Sequence, residues 1–420
     1  MNILVDFFVM AESKIHATSD GATGNIAAQL HWFKQLVSGS NIEDWKNTFN
    51  EELEAWKAKK LNVAVVGSSG QGKSSIINTI RGLKPKDKGA ARVGITETTL
   101  TITSYSDPKN PNLIYWDLPG CGTSEFPRNT YLQKIEFEKY DFFLIITATR
   151  FTENDLWLAQ ETEKRNKRFY LIRTKIDFDI SNEMNDNPDQ TEGQVLDRLR
   201  EDCLDHLKSI KKAKYSIFLL SGRYQYYCKW DFPHLINSLL QDYDGIKKDV
   251  MILSFSANCR EVIDQKYKLL KSRITKISAL SAMGRAVPIP GLSLAVDTAL
   301  IIAEVTEYRK QFGLDSESLE KLNGIQGINE EAIKNKFSEK GIATEVLFAS
   351  VVSYVIRILT MFAGAALAEE VLGLIPIVGW FAASAISYAT TYKALEYALN
   401  AARDAALAIL DVLQQIKINE

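Results

Sequence analysis

The chain of 420 residues has little cysteine and almost no net charge. Its four cysteines lack the short paired spacings of metal sites, so we predict reduced thiols in a cytoplasmic protein: Cys121, Cys203, Cys228 and Cys259. A formal net charge of −2 provides no general attraction to a polyanion. We therefore expect no nucleic-acid partner.

Common signals that direct a protein to a membrane are also lacking. The N-terminus has neither the basic start nor the small-residue cleavage site of a secretory signal. Asn2 stands where N-myristoylation needs a glycine, and the last residues, Ile418 to Glu420, form no prenylation box. We expect any membrane association to be reversible, and these residues leave its route open.

The segment from Val63 to Ser75, VAVVGSSGQGKSS, is the most informative part of the sequence. It fits G-x-x-x-x-G-K-[ST], a loop whose backbone N–H groups surround phosphates. An apolar run before it is typical of a buried parallel strand, and helix-compatible residues, Ile76 to Ile80, follow it. The alternative is a glycine-rich turn that matches by chance. Strand, loop and helix in this order favour a phosphate site.

Two short patterns place the phosphates and a metal ion. In the glycine-rich loop, Lys73 is predicted to reach the β- and γ-phosphates, and the Ser74 hydroxyl is predicted to hold Mg²⁺. The segment YWDLPG ends a further strand with D-x-x-G. There, Asp117 can hold Mg²⁺ through water and the Gly120 N–H can contact a γ-phosphate. Alone, this second pattern is a common turn, but its place behind an apolar strand favours the phosphate role.

The segment Thr174 to Asp177, TKID, indicates which base is bound. A carboxylate at Asp177 can accept hydrogen bonds from guanine N1–H and from its exocyclic amine, whereas adenine leaves the buried carboxylate unpaired. Lys175 is predicted to lie over the base. The commoner version of the motif begins with Asn, so Thr174 is expected to loosen the base contact. A surface turn with an ordinary lysine and aspartate is the alternative.

A last apolar strand, Ile217 to Leu220, leads into Ser221 and Gly222, a small polar loop suited to the guanine carbonyl. Together, these loops predict a site for GTP or GDP with Mg²⁺. The predicted nucleotide ligands are Ser69, Gly70, Gln71, Gly72, Lys73, Ser74, Ser75, Thr99, Gly120, Thr174, Lys175, Asp177, Ser221 and Gly222. The predicted metal ligands are Ser74, Thr99 and Asp117.

The interval between these patterns, GAARVGITETTL at residues 89–100, is predicted to sense the γ-phosphate. Thr98 and Thr99 offer hydroxyls for Mg²⁺, and Glu97 is the acid beside them. The alternation of Thr99, Thr101 and Thr103 is equally typical of a strand. We predict Thr99 as the metal ligand.

The order of apolar segments predicts three parts: an N-terminal helical segment (1–59), a GTP-binding domain (60–243) and a C-terminal all-α domain (244–420). The middle part alternates strands and helices, which predicts an α/β fold: a Ras-like P-loop GTPase domain with a mainly parallel sheet. The nucleotide is then expected at the carboxyl ends of the strands. The polar run 181–193 is predicted to be a loop.

Two C-terminal segments leave membrane contact open. Residues 261–284 are predicted to form a helix with apolar residues on one side and basic residues on the other, including Lys266 and Arg273. Such a helix either packs on a domain or lies on an anionic membrane. Residues 371–392 carry no charge over about the length of a bilayer span. A buried helical core, a membrane-inserting hairpin and a stable span all fit that segment.

The motifs resemble those of the immunity-related GTPases, the interferon-inducible family that acts against intracellular pathogens. The matching segments are GSSGQGKSSIINTIRG, GITETTLTI, YWDLPGCGT, EKYDFFLIITATRFTENDL, RFYLIRTKIDFDISNE and CKWDFPHLINSL. The segments VPIPGLSLAVD and FGLDSESLE resemble the family's helical domain. Since Lys73 is not replaced by the methionine of the regulatory subgroup, the resemblance implies a lysine-type, effector-like member.

This resemblance implies an enzyme that hydrolyses GTP to GDP and phosphate and forms GTP-dependent dimers or oligomers at intracellular membranes, such as those of pathogen-containing vacuoles. The implied catalytic residues are Lys73, Glu97, Thr99, Gly120 and Arg150. In relatives the Arg150 position belongs to the dimer contact, although a solvent-facing residue at a strand end is the alternative. Cys121 stands where Ras-type switches hold a water-orienting Gln, so unassisted hydrolysis is expected to be slow.

Two other functions fit the same residues. The chain could be a GTP-dependent switch that recruits partners while barely hydrolysing, or a membrane-shaping protein in which residues 261–400 act and GTP only supports the fold. Turnover by the purified protein separates the first from an enzyme. Lipid flotation with and without residues 341–420 tests the second.

Overall fold

A computed structural model of the chain describes residues 55–56, 58–94, 101–148, 151–208, 217–284, 292–323, 330–362 and 378–419. Almost all of the helical segment predicted over 1–59 lies outside these residues, as do Glu97, Thr99 and Arg150. The described residues divide into two compact units. One is built on 56–269 with 309–343 and the end of the chain from 402, and the other on 270–308 with 344–401. The predicted domain boundaries stay predictions.

A six-stranded sheet forms the centre of the first unit, in the order β2-β3-β1-β4-β5-β6. All neighbouring strands run parallel except β2 and β3, which are antiparallel. The strands are β1 (Leu61–Val66), β2 (Thr103–Ser106), β3 (Leu113–Asp117), β4 (Phe142–Thr147), β5 (Arg168–Arg173) and β6 (Ile217–Leu219). The mainly parallel sheet predicted from the sequence is confirmed.

The apolar runs form central strands because parallel strands are covered on both faces. Every residue of β4 is buried. The register pairs Val63 with Phe142 and Val65 with Asp117, so the ends of β1 and β3 meet at one edge of the sheet. The helices of this region are α1 (Lys73–Ile80), α2 (Tyr131–Lys134), α3 (Glu153–Lys164), α4 (Ile176–Asp186), α5 (Glu192–Leu207), α6 (Phe232–Gln241) and α7 (Gly245–Ser254).

The remaining described elements are helical, as predicted for the C-terminal part. They are α8 (Arg260–Gly284), α9 (Leu292–Gln311), α10 (Ser316–Asn323), α11 (Glu330–Glu339), α12 (Glu345–Phe348), α13 (Val351–Met361) and α14 (Val378–Asn419). Residues 371–377 lie outside the described range, and 378–392 belong to α14. Among the helices that the structure describes, none is long and apolar enough to cross a bilayer.

The structure of helix α8 differs from the prediction of a charged outer side. Apolar residues of α8 are buried, as expected for a packed helix: Val262, Leu270, Ile274 and Ile277. However, Lys266 is also fully buried. The Lys266 ammonium donates to Leu253 O and to Gln311 Oε1, at 3.0 and 2.6 Å. Arg273 is buried beside Glu304. Both cations therefore serve internal polar contacts rather than a charged surface, which residue type alone does not indicate.

The prediction of a loop over 181–193 is correct only for residues 187–191. Helix α4 continues to Asp186, and α5 begins at Glu192. The Thr191 hydroxyl accepts a hydrogen bond from Gln194 N and thereby caps α5. Polar composition was read as a turn, yet it is equally compatible with a solvent-exposed helix whose ends are satisfied.

The prediction of four reduced, scattered cysteines is also wrong for one pair. Cys228 and Cys259 form a disulfide with their Cα atoms 5.5 Å apart. The two residues are separated by 31 positions, so only the tertiary fold brings them together. Cys121 and Cys203 are free thiols.

Candidate functional site

The glycine-rich loop connects the end of β1 at Val66 to the start of α1 at Lys73. At Gly67 a side chain would be impossible, because a Cβ there would lie 2.2 Å from the carbonyl oxygen of Ile146 on β4. Ser69 and Gly70 form the exposed tip of the loop, and Gly72 caps α1. The loop thus presents backbone N–H groups and the N-terminus of α1 at the edge of the sheet, the arrangement that binds phosphate.

The ammonium group of Lys73 occupies the inside of this loop. It donates to the carbonyl oxygens of Gly67 and Ser68, at 3.0 and 3.3 Å, and the side chain is only 4% exposed. Gln71 Oε1 accepts from Ser68 N at 2.6 Å and closes the turn. A buried ammonium group that donates to carbonyl oxygens can exchange them for phosphate oxygens, which are stronger acceptors.

The first residue pair that fits a metal ion joins α1 to β3. Ser74 Oγ donates to Asp117 Oδ2 at 2.7 Å, and both side chains are buried. A hydroxyl and a carboxylate side by side are hard oxygen donors, which suit Mg²⁺. Two of the three predicted metal ligands are therefore adjacent beside the phosphate loop. The third, Thr99, lies outside the described residues.

The D-x-x-G segment packs against the phosphate loop at Gly120, where a Cβ would lie 3.2 Å from Ser68 Cα. The next residue, Cys121, is half-buried, and burial raises the pKa of its thiol to about 11. The carbonyl oxygen of Cys121 accepts from Asn154 Nδ2 at 2.9 Å. At neutral pH this side chain is thus a protonated thiol, a weak donor next to Gly120.

Thr174 links the base motif to the phosphate loop. Its hydroxyl donates to Gln71 O at 2.6 Å and lies 3.2 Å from Thr147 O. Because Thr174 is buried at the end of β5, this bond fixes the distance between the two loops. The Thr174 hydroxyl therefore stabilises the position of the base motif relative to the phosphate loop. Whether it loosens the contact to the base stays a prediction.

Asp177 is the polar group that points most clearly to a ligand. Its side chain is 5% exposed, yet neither carboxylate oxygen has a hydrogen-bond partner among the described residues. The nearest cation is Arg223, whose Nε lies 3.4 Å from Asp177 Oδ2. An unsatisfied buried carboxylate is costly unless a ligand completes it. Two parallel donors, as guanine offers, would do so.

The loop after β6 completes this side of the site. Gly222 O accepts from Thr79 Oγ1 of α1 at 2.8 Å, and Ser221 Oγ accepts from Arg223 N at 3.2 Å. Ser221 is buried, whereas Lys175 is exposed at the start of α4. The predicted base residues therefore surround one place beside α1.

Sequence reasoning missed two residues of the base site. The guanidinium of Arg223 lies 4.3 Å from the centroid of the Phe178 ring, besides its contact with Asp177. Phe178 is about half exposed although it is a large apolar residue. The sequence contains a signal for both residues, since Phe178 directly follows the base motif and Arg223 directly follows Ser221 and Gly222.

The site as a whole lies at the carboxyl ends of the parallel strands, as predicted. The structure brings together the phosphate loop, Asp117 and Gly120 with the three base residues of the TKID motif and the loop after β6. It does not test Glu97, Thr99 or Arg150, which fall outside the described part of the chain.

Comparison with known proteins gives a consistent result. A family model described as Interferon-inducible GTPase (IIGP) matches residues 28–412. The chain is 37% identical over 294 residues to Interferon-inducible GTPase 1 of Mus musculus, and the aligned segment covers 70% of this chain and 71% of the relative. It is 30% identical over 418 residues to Interferon-inducible GTPase 5 of Rattus norvegicus, which covers 97% of this chain and 88% of the relative.

Solved structures are similar only at a low level. Toc33 from Arabidopsis thaliana, in complex with GDP and Mg²⁺, aligns with a TM-score of 0.29 and 15% identity, over 42% of this chain and 78% of Toc33. Era from Aquifex aeolicus, bound to GDP and AlF4⁻, aligns with a TM-score of 0.30 and 17% identity, over 53% of this chain and 68% of that chain. Similarity at this level carries no argument about function.

Proposed function

The chain belongs to the interferon-inducible GTPase family, and from this premise we propose that it hydrolyses GTP within a dimer or oligomer of its own chain at intracellular membranes. As a member of this family it binds GTP and converts it to GDP and phosphate. The observation that supports guanine as the base is the buried carboxylate of Asp177, which has no hydrogen-bond partner among the described residues. The nearby Thr174 is hydrogen-bonded to the phosphate loop. The self-association and the membrane are the proposed steps.

Each described residue has a physical role in this proposal. Lys73 stabilises the charge that develops on the transferred phosphoryl group. Ser74 and Asp117 would hold Mg²⁺, which supplies further positive charge at the phosphate oxygens when bound. Gly120 presents its backbone N–H next to the phosphate loop. Positioning and electrostatics of this kind provide most of the rate enhancement in phosphoryl transfer.

The case for self-association comes from Cys121. A thiol whose pKa is raised to about 11 stays neutral at physiological pH and cannot orient an attacking water as a glutamine amide does. A single copy is therefore expected to be slow. The missing group would come from the residues predicted at the dimer face, Glu97 and Arg150, with Arg150 bridging to the partner.

We expect the turnover per molecule to rise with protein concentration, roughly tenfold or more between dilute and associated protein, since a positioned cation of this kind contributes 10³-fold or more in related reactions. The measurement is phosphate release at saturating GTP across a concentration series. Arg150→Ala should flatten the dependence, whereas Arg165→Ala, an exposed arginine at the end of α3, should keep it. A constant rate per molecule would contradict self-association as the activating step.

The second candidate function, a GTP-dependent switch with little hydrolysis, is favoured by the same thiol at position 121. It predicts that self-association with GTP occurs without faster turnover. The concentration series therefore separates the two functions when the particle size is followed in the same samples.

Membrane association is supported by one face of α13. Val352 and Ile356, one turn apart, are 50% and 55% exposed. Paired apolar side chains on the outside of an amphipathic helix can enter the boundary between lipid headgroups and acyl chains. We therefore place the membrane-contacting surface of the proposal at this face of α13.

Replacing Ile356 by Glu should reduce flotation with vesicles of anionic phospholipid by roughly threefold or more, because a charge is costly at that depth. Leu204→Glu is the matched control, since Leu204 is 42% exposed on α5, in the other unit. Equal flotation of both variants and the unmodified chain would mean that α13 does not contact lipid.

A further inference from the structure

The disulfide between Cys228 and Cys259 lies outside every role described so far. It joins the loop 220–230, here called the base loop, to residues 256–261, here called the tie segment. Two further contacts join the same segments: Asn258 Nδ2 donates to the Tyr224 hydroxyl at 2.8 Å, and the Tyr227 hydroxyl donates to Ser256 O at 3.2 Å. The base loop is thus joined to the tie segment by one covalent bond and two hydrogen bonds.

The base loop carries the nucleotide-facing residues Ser221, Gly222 and Arg223. Arg223 is the nearest cation to the unsatisfied Asp177 carboxylate and also stacks on Phe178. The disulfide is attached to this loop five residues further along, at Cys228. What holds Cys228 therefore also restricts where Arg223 can lie.

The backbone of the base loop needs restraint. Cys228 and Trp230 have φ angles of 66° and 54°, in the left-handed region that residues with a Cβ seldom occupy. Such conformations persist only when surrounding contacts enforce them. Once the covalent tie is removed, the base loop is joined to the tie segment by these two hydrogen bonds.

The side chain of Glu261 favours reduction of the Cys228–Cys259 disulfide. Its Oε2 lies 2.9 Å from Cys259 Sγ, and Cys259 is 1% exposed. In a disulfide this sulfur has no proton to donate, so it offers the adjacent carboxylate no hydrogen bond. In the reduced pair the Cys259 thiol can donate to Glu261. The neighbour therefore favours the reduced state of the pair.

We propose that Cys228 and Cys259 form a reversible redox site that sets the affinity of the base loop for guanine nucleotides. The inference rests on the proposed nucleotide site and names its regulation. In the oxidised state the base loop is fixed and Arg223 stays beside the base position. In the reduced state the base loop is free to relax, and the nucleotide dissociates faster.

The chemistry balances with a thiol reductant such as glutathione. One thiolate attacks a sulfur of the disulfide and forms a mixed disulfide, and a second thiol releases it. The two protein sulfurs take up two electrons and two protons, and the two thiols become one disulfide. Oxidation by oxidised glutathione reverses both steps. Cys228 is the half-buried sulfur and so the one that an external thiol attacks.

The test uses the full chain and GDP with a fluorophore on its ribose. We expect dissociation from protein treated with oxidised glutathione to be roughly three to ten times slower than from protein reduced with a dithiol, since immobilising one long side chain contributes about that factor. Alkylation and intact mass report whether the disulfide is present. Cys228→Ser should release GDP at the reduced rate in both conditions, whereas Cys203→Ser, a buried free thiol on α5, should respond like the unmodified chain.

Each negative result of this experiment leads to a different conclusion. Equal dissociation rates with a disulfide verified by mass would overturn the inference and leave the nucleotide site intact. Free thiols after oxidised glutathione would overturn it as well. No nucleotide binding in either state would overturn the proposed function itself. Glu261→Gln provides an independent readout: half oxidation should shift to a more reducing glutathione mixture, which a merely structural role of Glu261 would not produce.

Discussion

Asp177→Asn should exchange the preferred nucleotide from guanosine to xanthosine triphosphate. The Asp177 carboxylate is buried and unsatisfied, so it can accept from guanine N1–H and from the exocyclic amine. An asparagine can accept only one of these bonds and presents its own amide donor to the other. Xanthine carries a carbonyl at that position and accepts this donor. Since a hydrogen bond to a charged group contributes about 1.5 to 3 kcal/mol, GTP affinity should fall by roughly 100-fold.

The measurement is the dissociation constant of each triphosphate for both proteins. Asp186→Asn is the matched control, because it makes the same substitution at an exposed position at the end of the same helix, α4. Unchanged preference in Asp177→Asn would mean that the base lies elsewhere. An equal loss of both nucleotides would indicate that the loop has collapsed rather than changed its specificity.

Lys73→Ala should lower GTP hydrolysis by roughly 100-fold or more. The ammonium is buried inside the phosphate loop, and no other cation has been placed there among the described residues. Loss of one preorganised charge-stabilising group of this kind costs about 10²- to 10³-fold in rate. The measurement is single-turnover hydrolysis at saturating GTP, with a circular dichroism spectrum to verify that the variant is folded.

Lys86→Ala is the control for this experiment. Lys86 is an exposed lysine in the loop after α1, so it loses the same charge at a distance from the phosphates. We expect it to hydrolyse GTP at the rate of the unmodified chain. If Lys73→Ala retained that rate as well, the glycine-rich loop would not be the site of hydrolysis.

The predictions that succeeded rest on local physics. Continuous apolar runs such as Phe142 to Ile146 can be buried only in the centre of a covered sheet, so they identify strands without any long-range information. The glycine-rich loop is equally local, because its motif and the apolar run before it lie together between Val63 and Ser75. Spacing along the chain was therefore sufficient to locate the loop between strand and helix.

The predictions that failed depend on which surface each segment meets. Lys266 and Arg273 were placed on a charged outer face, yet both are buried with polar partners supplied by other helices. Residues 181–186 continue α4, although their composition is typical of a turn. Periodicity predicts the direction in which a side chain points from its helix. It does not predict which part of the protein lies in that direction.

The sequence by itself determined the phosphate loop, the TKID base motif and the strands of the parallel sheet, because each of these segments is identified by neighbours within a few residues. Only the tertiary structure decided that Arg223 faces Asp177 and that Cys228 bonds to Cys259. These pairs join separate loops and helices. Their distances are set by how the elements pack around the common core, a sum of many weak contacts that no single stretch of chain encodes.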